Sequence, residues 1–209
     1  MKIELKNIHY SEQLSEETAA FSASLYINGY KAGTVSNQGH GGATNYTPFN
    51  EKGRQLIKEA KAYCKSLPPE KYTVGGEEHQ LDMNLELYMD NLLTDYLKEK
   101  DLQQFRKEIK KTSNTQIVIG IPDQYFRTLN IKMAISVILN DPTRKSLLIA
   151  ILKDNILPRM QEDERVLNTN IPVEVLKQAG LKENQYVQQG TEIRKEARQK
   201  NAHHKGKSL

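Results

Sequence analysis

The sequence has no tryptophan, one cysteine and no long apolar run. Each shortage excludes something. A lone Cys64 cannot close an internal disulfide, which fits a reducing compartment. No stretch nears the roughly 18 consecutive apolar residues that a membrane span needs. The start, Met1-Lys2-Ile3-Glu4-Leu5-Lys6, alternates charge with apolar side chains where a signal peptide would carry its apolar region. The expectation is a soluble, cytoplasmic protein with no membrane partner. Its 209 residues suffice for a real core, at a mean hydropathy of -0.68.

Catalytic signatures are also missing. There is no Walker Gly-Lys-Ser/Thr, no dinucleotide G-x-G-x-x-G, no H-E-x-x-H, no paired C-x-x-C and no nucleophile elbow. A twin H-x-S/T phosphoesterase needs two copies of its motif, and His9-Tyr10-Ser11 is one. Glu77-Glu78-His79 contains metal-capable groups, but adjacent residues in a loop seldom converge on one ion. No metal and no cofactor are expected, and the balance leans away from an enzyme.

Charge is unevenly placed. The formal charge of +4 equals that of residues 191–209, where Arg194, Lys195, Arg198, Lys200, Lys205 and Lys207 face Glu192 and Glu196. Residues 1–190 are therefore neutral overall, without the basic excess that a nucleic-acid-binding domain usually shows.

The apolar patterning that is present predicts an α+β fold. An N-terminal antiparallel sheet begins with a strand whose alternation slips between Leu5 and Ile8, as a bulge would cause. Phe21 to Ile27 alternates with period two, and Asn28-Gly29 turns it back on Ala32–Val35 as a hairpin. Asn50 caps a helix over 51–66, halted by Pro68-Pro69. Val74-Gly75-Gly76 marks a loop, with a strand passing into a helix near Glu86 and a further helix from Asp101. Gln116–Ile121 reads as a strand and Phe126–Met133 as another. Asp141-Pro142 starts a helix with a buried stripe at Leu147, Leu148, Ile151, Leu152, Ile156 and Leu157. Pro172–Ala179 is a short helix closed by Gly180. One domain over 1–181 and a basic, flexible extension over 182–209 are expected.

The main candidate site is the Gly-rich loop with Asn37, Gly39, His40, Gly41, Gly42, Thr44, Asn45 and Tyr46. Glycines let backbone N–H groups approach a phosphate, side-chain donors add to them, and a helix start near residue 51 favours an anion. A long connection that needs positive φ would produce the same composition. His40 and His79 are the candidate general bases, although a loop histidine more often bonds its own surroundings. Asp123, after the Ile117–Ile121 run, sits where catalytic carboxylates occur and equally where Pro-Asp turns occur. A basic face of Lys98, Lys100, Arg106, Lys107, Lys110 and Lys111, with Arg194, Lys195, Arg198 and Lys200 of the tail, is the alternative site, for nucleic acid or a host protein.

Leu25-Tyr26-Ile27-Asn28-Gly29-Tyr30-Lys31-Ala32-Gly33, Asn37-Gln38-Gly39-His40-Gly41-Gly42, Gly53-Arg54-Gln55-Leu56-Ile57-Lys58-Glu59-Ala60 and Val166-Leu167-Asn168-Thr169-Asn170-Ile171-Pro172 carry a resemblance. Over residues 18 to 180 the chain resembles a group of proteins, without assigned function, carried by bacteriophages and bacterial mobile elements. The resemblance implies the cytoplasm of a bacterial host and an anti-defence setting. The leading expectation is binding of a phosphate-bearing small molecule, a nucleotide immune signal, by sequestration without turnover. A nucleotide phosphodiesterase is the third reading, and self-association into a homo-oligomer is left open.

Overall fold

The computed structural model describes residues 1–188 and is a mixed α+β fold. Its described residues gather into two compact units, Met1–Lys100 and the part from Asp101 onward.

In the first unit, β1 (Ile3–Ser11), β2 (Ala20–Ile27), β3 (Tyr30–Asn37) and β4 (Asn45–Pro48) form an antiparallel sheet in that order. The expected bulge is in β1, where the register shifts between Lys6 and His9 and Asn7 takes φ 51°. Asn28 (φ 51°) and Gly29 (φ 81°) make the two-residue turn between β2 and β3, the positive-φ pair that matches strand twist. Helix α1 (Glu51–Lys65) starts at Asn50, whose side chain accepts the Gly53 N–H at 2.9 Å. Its inner face buries Ile57, Ala60 and Cys64 in one core with Phe21, Leu25, Ile27 and Val35. Leu85, Met89 and Leu93, from the first turns of α2 (Leu85–Thr112), complete that core.

The middle of the chain differs in detail from expectation. The Val74-Gly75-Gly76 loop is the tip of a hairpin, β5 (Glu70–Val74) with β6 (Glu77–Leu81). A strand does pass into a helix here, and α2 opens at Leu85 beside the expected Glu86, but the strand is β6, which ends at Leu81, so the alternation of Leu81, Met83, Leu85 and Leu87 is not strand structure. No second helix begins at Asp101. With neither Gly nor Pro between Leu85 and Thr112, nothing interrupts α2.

The second unit has the sheet order β8-β7-β9, from β7 (Gln116–Ile121), β8 (Tyr125–Asn130) and β9 (Arg165–Val166). Against it lie α3 (Ile135–Leu139), α4 (Pro142–Ile151) and α5 (Val173–Gln178). Asp141 caps α4 by accepting the Thr143 and Arg144 N–H groups. The chain then continues as a π-helical turn, Leu152–Ile156. Ile117, Ile119, Leu148, Leu152, Val175 and Leu176 fill the core. The buried Asn168 ties its strands together, accepting the Val118 N–H at 2.6 Å and donating to the Gln116 carbonyl at 2.9 Å. Gly180 ends α5 at φ 89°. Structure continues past residue 181, since Tyr186 packs in this core and bridges Val166.

Candidate functional site

The Gly-rich loop joins β3 to β4, and Asn37 organises it. The buried Asn37 Oδ1 accepts the Thr18 hydroxyl at 3.0 Å and the Gly39 N–H at 2.9 Å. Its Nδ2 donates to the Gly42 carbonyl at 2.9 Å and to Thr44 Oγ1 at 3.3 Å. The Gly39 carbonyl accepts the N–H groups of Glu16, Glu17 and Thr18, at 3.0, 3.0 and 3.2 Å. Three converging amides are an anion-holding arrangement; here a carbonyl oxygen of the same chain fills it. Gly39 is fixed by φ 93° and by the Leu14 carbonyl, into which a Cβ would run.

Half of the amides over residues 39–44 are therefore engaged. Gly41 N–H donates to Thr18 Oγ1 and Thr44 N–H to Glu86 Oε1 at 2.7 Å. Among the described residues, the amides of His40, Gly42 and Ala43 have no partner. The charges against residues 39–44 are carboxylates, while a cation beside the candidate set, Lys61, lies over the Tyr46 ring at 5.3 Å. Glu16 meets His40 Nδ1 at 3.0 Å, Glu17 lies where a Gly41 side chain would go, and Glu86 holds Thr44. Such a setting is unfavourable to an incoming phosphate by plain Coulomb repulsion. Asn45 opens β4 at the surface. The Tyr46 hydroxyl is buried without a partner, and burial, with Glu86 and Asp90, pushes its ionisation far up. The residues grouped from the sequence do come together, as a lock between residues 14–18, the loop and α2.

The other candidates are dispersed. His79 stacks on Tyr72 in the β5–β6 hairpin, 5.4 Å between ring centres. Among the described residues no three His, Cys, Asp or Glu side chains gather as a metal site. Asp123 is a turn residue at φ 61°, and its carboxylate takes both Arg106 Nε (2.9 Å) and Nη2 (2.6 Å). That removes Arg106 as a ready phosphate contact on the basic face. Lys98 and Lys100 are exposed in the first unit, and Lys107, Lys110 and Lys111 in the second. Arg194, Lys195, Arg198 and Lys200 lie outside the described residues. No helix among the described residues is long and apolar enough to cross a membrane.

A groove in the second unit has the chemistry that the loop lacks. It has a volume of about 450 Å³ and lies between the end of β8, α3, α4 and the π-helical turn. Leu129, Ile131, Ile138, Leu147, Leu148 and Ile151 form an aliphatic wall, joined by Met133. Lys132, Arg144, Asn130 and Asn155 supply its polar edge. Leu147, expected in the buried stripe, is 61% exposed on this wall, because adjacent helical positions point about 100° apart and Leu148 takes the core. Lys132 has no ion-pair partner among the described residues, and its backbone is in the left-handed region at φ 56°. Its amide N–H is steadied by Asn130 Oδ1 at 2.8 Å. Arg144 Nε is 3.6 Å from Asp141 Oδ2, longer than a charge-assisted bond of about 2.7–2.9 Å. Asn155 belongs to the π turn, a distortion that recurs at functional sites.

Sequence reading missed this site. Its two cations lie on separate segments of the chain, and nothing marks Lys132 as a left-handed residue. The usable signal was Leu147-Leu148 with Arg144 one turn earlier, a leucine in excess of what one core face holds. Compared with known proteins, the chain matches no family model, no curated protein and no solved structure.

Proposed function

We propose that the protein binds a phosphate-bearing small molecule without turning it over, and that the β8–α3–α4 groove holds it. One observation carries the reading: an aliphatic cavity of about 450 Å³ with two cations, Lys132 and Arg144, neither engaged in a tight ion pair. Small-molecule sites are commonly apolar concavities of roughly 300–1,000 Å³ with a few placed polar groups. The aliphatic wall takes the body of the ligand, the cations its anionic group, and the Asn130 and Asn155 amides its hydrogen-bonding edge. No carboxylate, imidazole or thiol lines the groove among the described residues, which supports binding over proton-transfer chemistry. In the bacteriophage setting that the sequence resemblance implies, such a protein would sequester a nucleotide signal.

The test is a thermal-shift screen against linear and cyclic nucleotides, beside alkyl phosphates that share the anion but lack the base. Ligand at about 100 times Kd should add roughly 2.7 kcal/mol. Heating should then release it chemically unchanged. Lys132→Glu and Arg144→Glu should each weaken binding at least about tenfold, a loss of roughly 1.4 kcal/mol. If they do not, while Gly41→Val with Gly42→Val does, the groove is wrong and the loop is the site. An altered nucleotide after heating would instead establish turnover.

A further inference from the structure

The β5–β6 hairpin projects from the first unit with little packed on it. Every residue of its two strands is exposed except Glu70, which takes a 2.7 Å hydrogen bond from Asn91. Tyr72, Val74 and Leu81 are 46%, 60% and 48% exposed. A lone two-stranded ribbon is marginal in water, and its outer edges present unpaired N–H and C=O groups. Natural edges are blunted by bulges, prolines or lysines. Here the register runs unbroken from Glu70↔Leu81 to Val74↔Glu77, without proline, and β6 has no lysine.

The chemistry of β6 selects a partner. Gly75 (φ 62°) and Gly76 (φ 88°) make a two-residue turn, so Val74 and Glu77 form a hydrogen-bonded pair. Pairs alternate along an antiparallel ladder, which points the backbone groups of Glu78 and Gln80 outward. Glu77 and Glu78 have no ion-pair partners among the described residues. Glu77, His79 and Leu81 share a face with Tyr72 and Val74, whereas Glu78 and Gln80 share the other.

We propose that the outer edge of β6 takes an extended basic segment of another protein as a third strand. Two adjacent cations of that segment lie against Glu77 and Glu78. Its following apolar residues, at every second position, extend the Tyr72–Val74–Leu81 face. Main-chain hydrogen bonds supply affinity and the alternating side chains supply specificity, as in other strand-addition complexes.

Fluorescence anisotropy of the full chain with labelled KRVTVTT tests this, since cations against Glu77 and Glu78 place its two valines opposite His79 and Leu81. That peptide should bind, and EEVTVTT and the reordered KRVVTTT should bind at least about tenfold more weakly. Gln80→Pro removes an outward N–H and leaves the β5–β6 ladder intact, so it should abolish binding. Glu77→Lys with Glu78→Lys should do the same. Should Gln80→Pro disturb the hairpin, KRVTVTT N-methylated on alternate residues decides with the unaltered protein: one set of positions must block binding and the other must not. Equal binding of KRVVTTT, or indifference to both N-methyl sets, would reduce the contact to charge attraction and overturn the proposal. A self-associated chain that Gln80→Pro makes monomeric would overturn it in favour of a second copy.

Discussion

Asn37 concentrates four hydrogen bonds on one buried amide, and its partners sit on two stretches of loop, Thr18 ahead of β2 and Gly39, Gly42 and Thr44 between β3 and β4. A buried donor or acceptor left unsatisfied costs about 1–3 kcal/mol. Asn37→Ala should therefore lower stability by at least about 2 kcal/mol in urea denaturation, with backbone hydrogen exchange accelerated over 38–44. Asn37→Asp keeps the acceptor but places an oxygen against the Gly42 carbonyl, so it should fare little better. Glu164 is a second concentrated site. Its side chain is buried and accepts from Arg127 Nε (2.9 Å) and Nη2 (2.7 Å), the Tyr125 hydroxyl (3.0 Å) and the Gln161 N–H (2.9 Å). The Arg127 hydrogen bonds are the largest cause holding this carboxyl down at about 2, against the opposing effect of burial. A folded pKa below the unfolded one stabilises the protein above the unfolded value, near pH 4.3. That contribution disappears as pH falls from there toward 2. Urea midpoints of the wild type should drop across this window, and those of Glu164→Gln should change less. Arg127→Ala, which strands a buried carboxylate, should cost on the order of 3 kcal/mol at pH 7.

Helix α4 joins local capping to the groove. The Asp141 carboxylate accepts two N–H groups at the start of the helix and stands loosely beside Arg144. Asp141→Ala should cost about 1 kcal/mol as a lost N-cap. The same change releases Arg144 from its only carboxylate neighbour among the described ion pairs, so anion affinity in the groove should rise while stability falls. Titrating the thermal-shift ligand against both proteins checks the opposed signs. This start was legible in the sequence as Asp141-Pro142, as were the Asn28-Gly29 turn and the Asn50 cap. In each, side-chain chemistry fixes local backbone without tertiary help. The β5–β6 hairpin was not legible, because exposed strands have no buried face and so no alternation to read. Helix α2 runs through Asp101 because charged residues do not stop a helix, whatever boundary they suggest. The groove stayed hidden for a different reason. Its cations come together through a left-handed residue in one segment and a helix elsewhere, and only the fold brings these near each other.

At the scale of the whole chain, the buried apolar residues separate into two clusters with no member in common. Ile27 belongs to one and Ile119 to the other. Ile27→Val and Ile119→Val should each cost about 0.5–1.5 kcal/mol. The double variant should equal their sum within about 0.5 kcal/mol, as for sites without shared partners. Urea denaturation of the four proteins measures the coupling, and a larger residual would mean that the cores communicate. The chain also contains its own clock. Cys64 is its single thiol, 0% exposed on the inner face of α1, with ionisation pushed up by burial. A thiol reagent in solution can reach it only while α1 stands away from the sheet. The rate of labelling thus counts the openings of that one helix, read directly by mass, with no probe added and no competing cysteine to subtract.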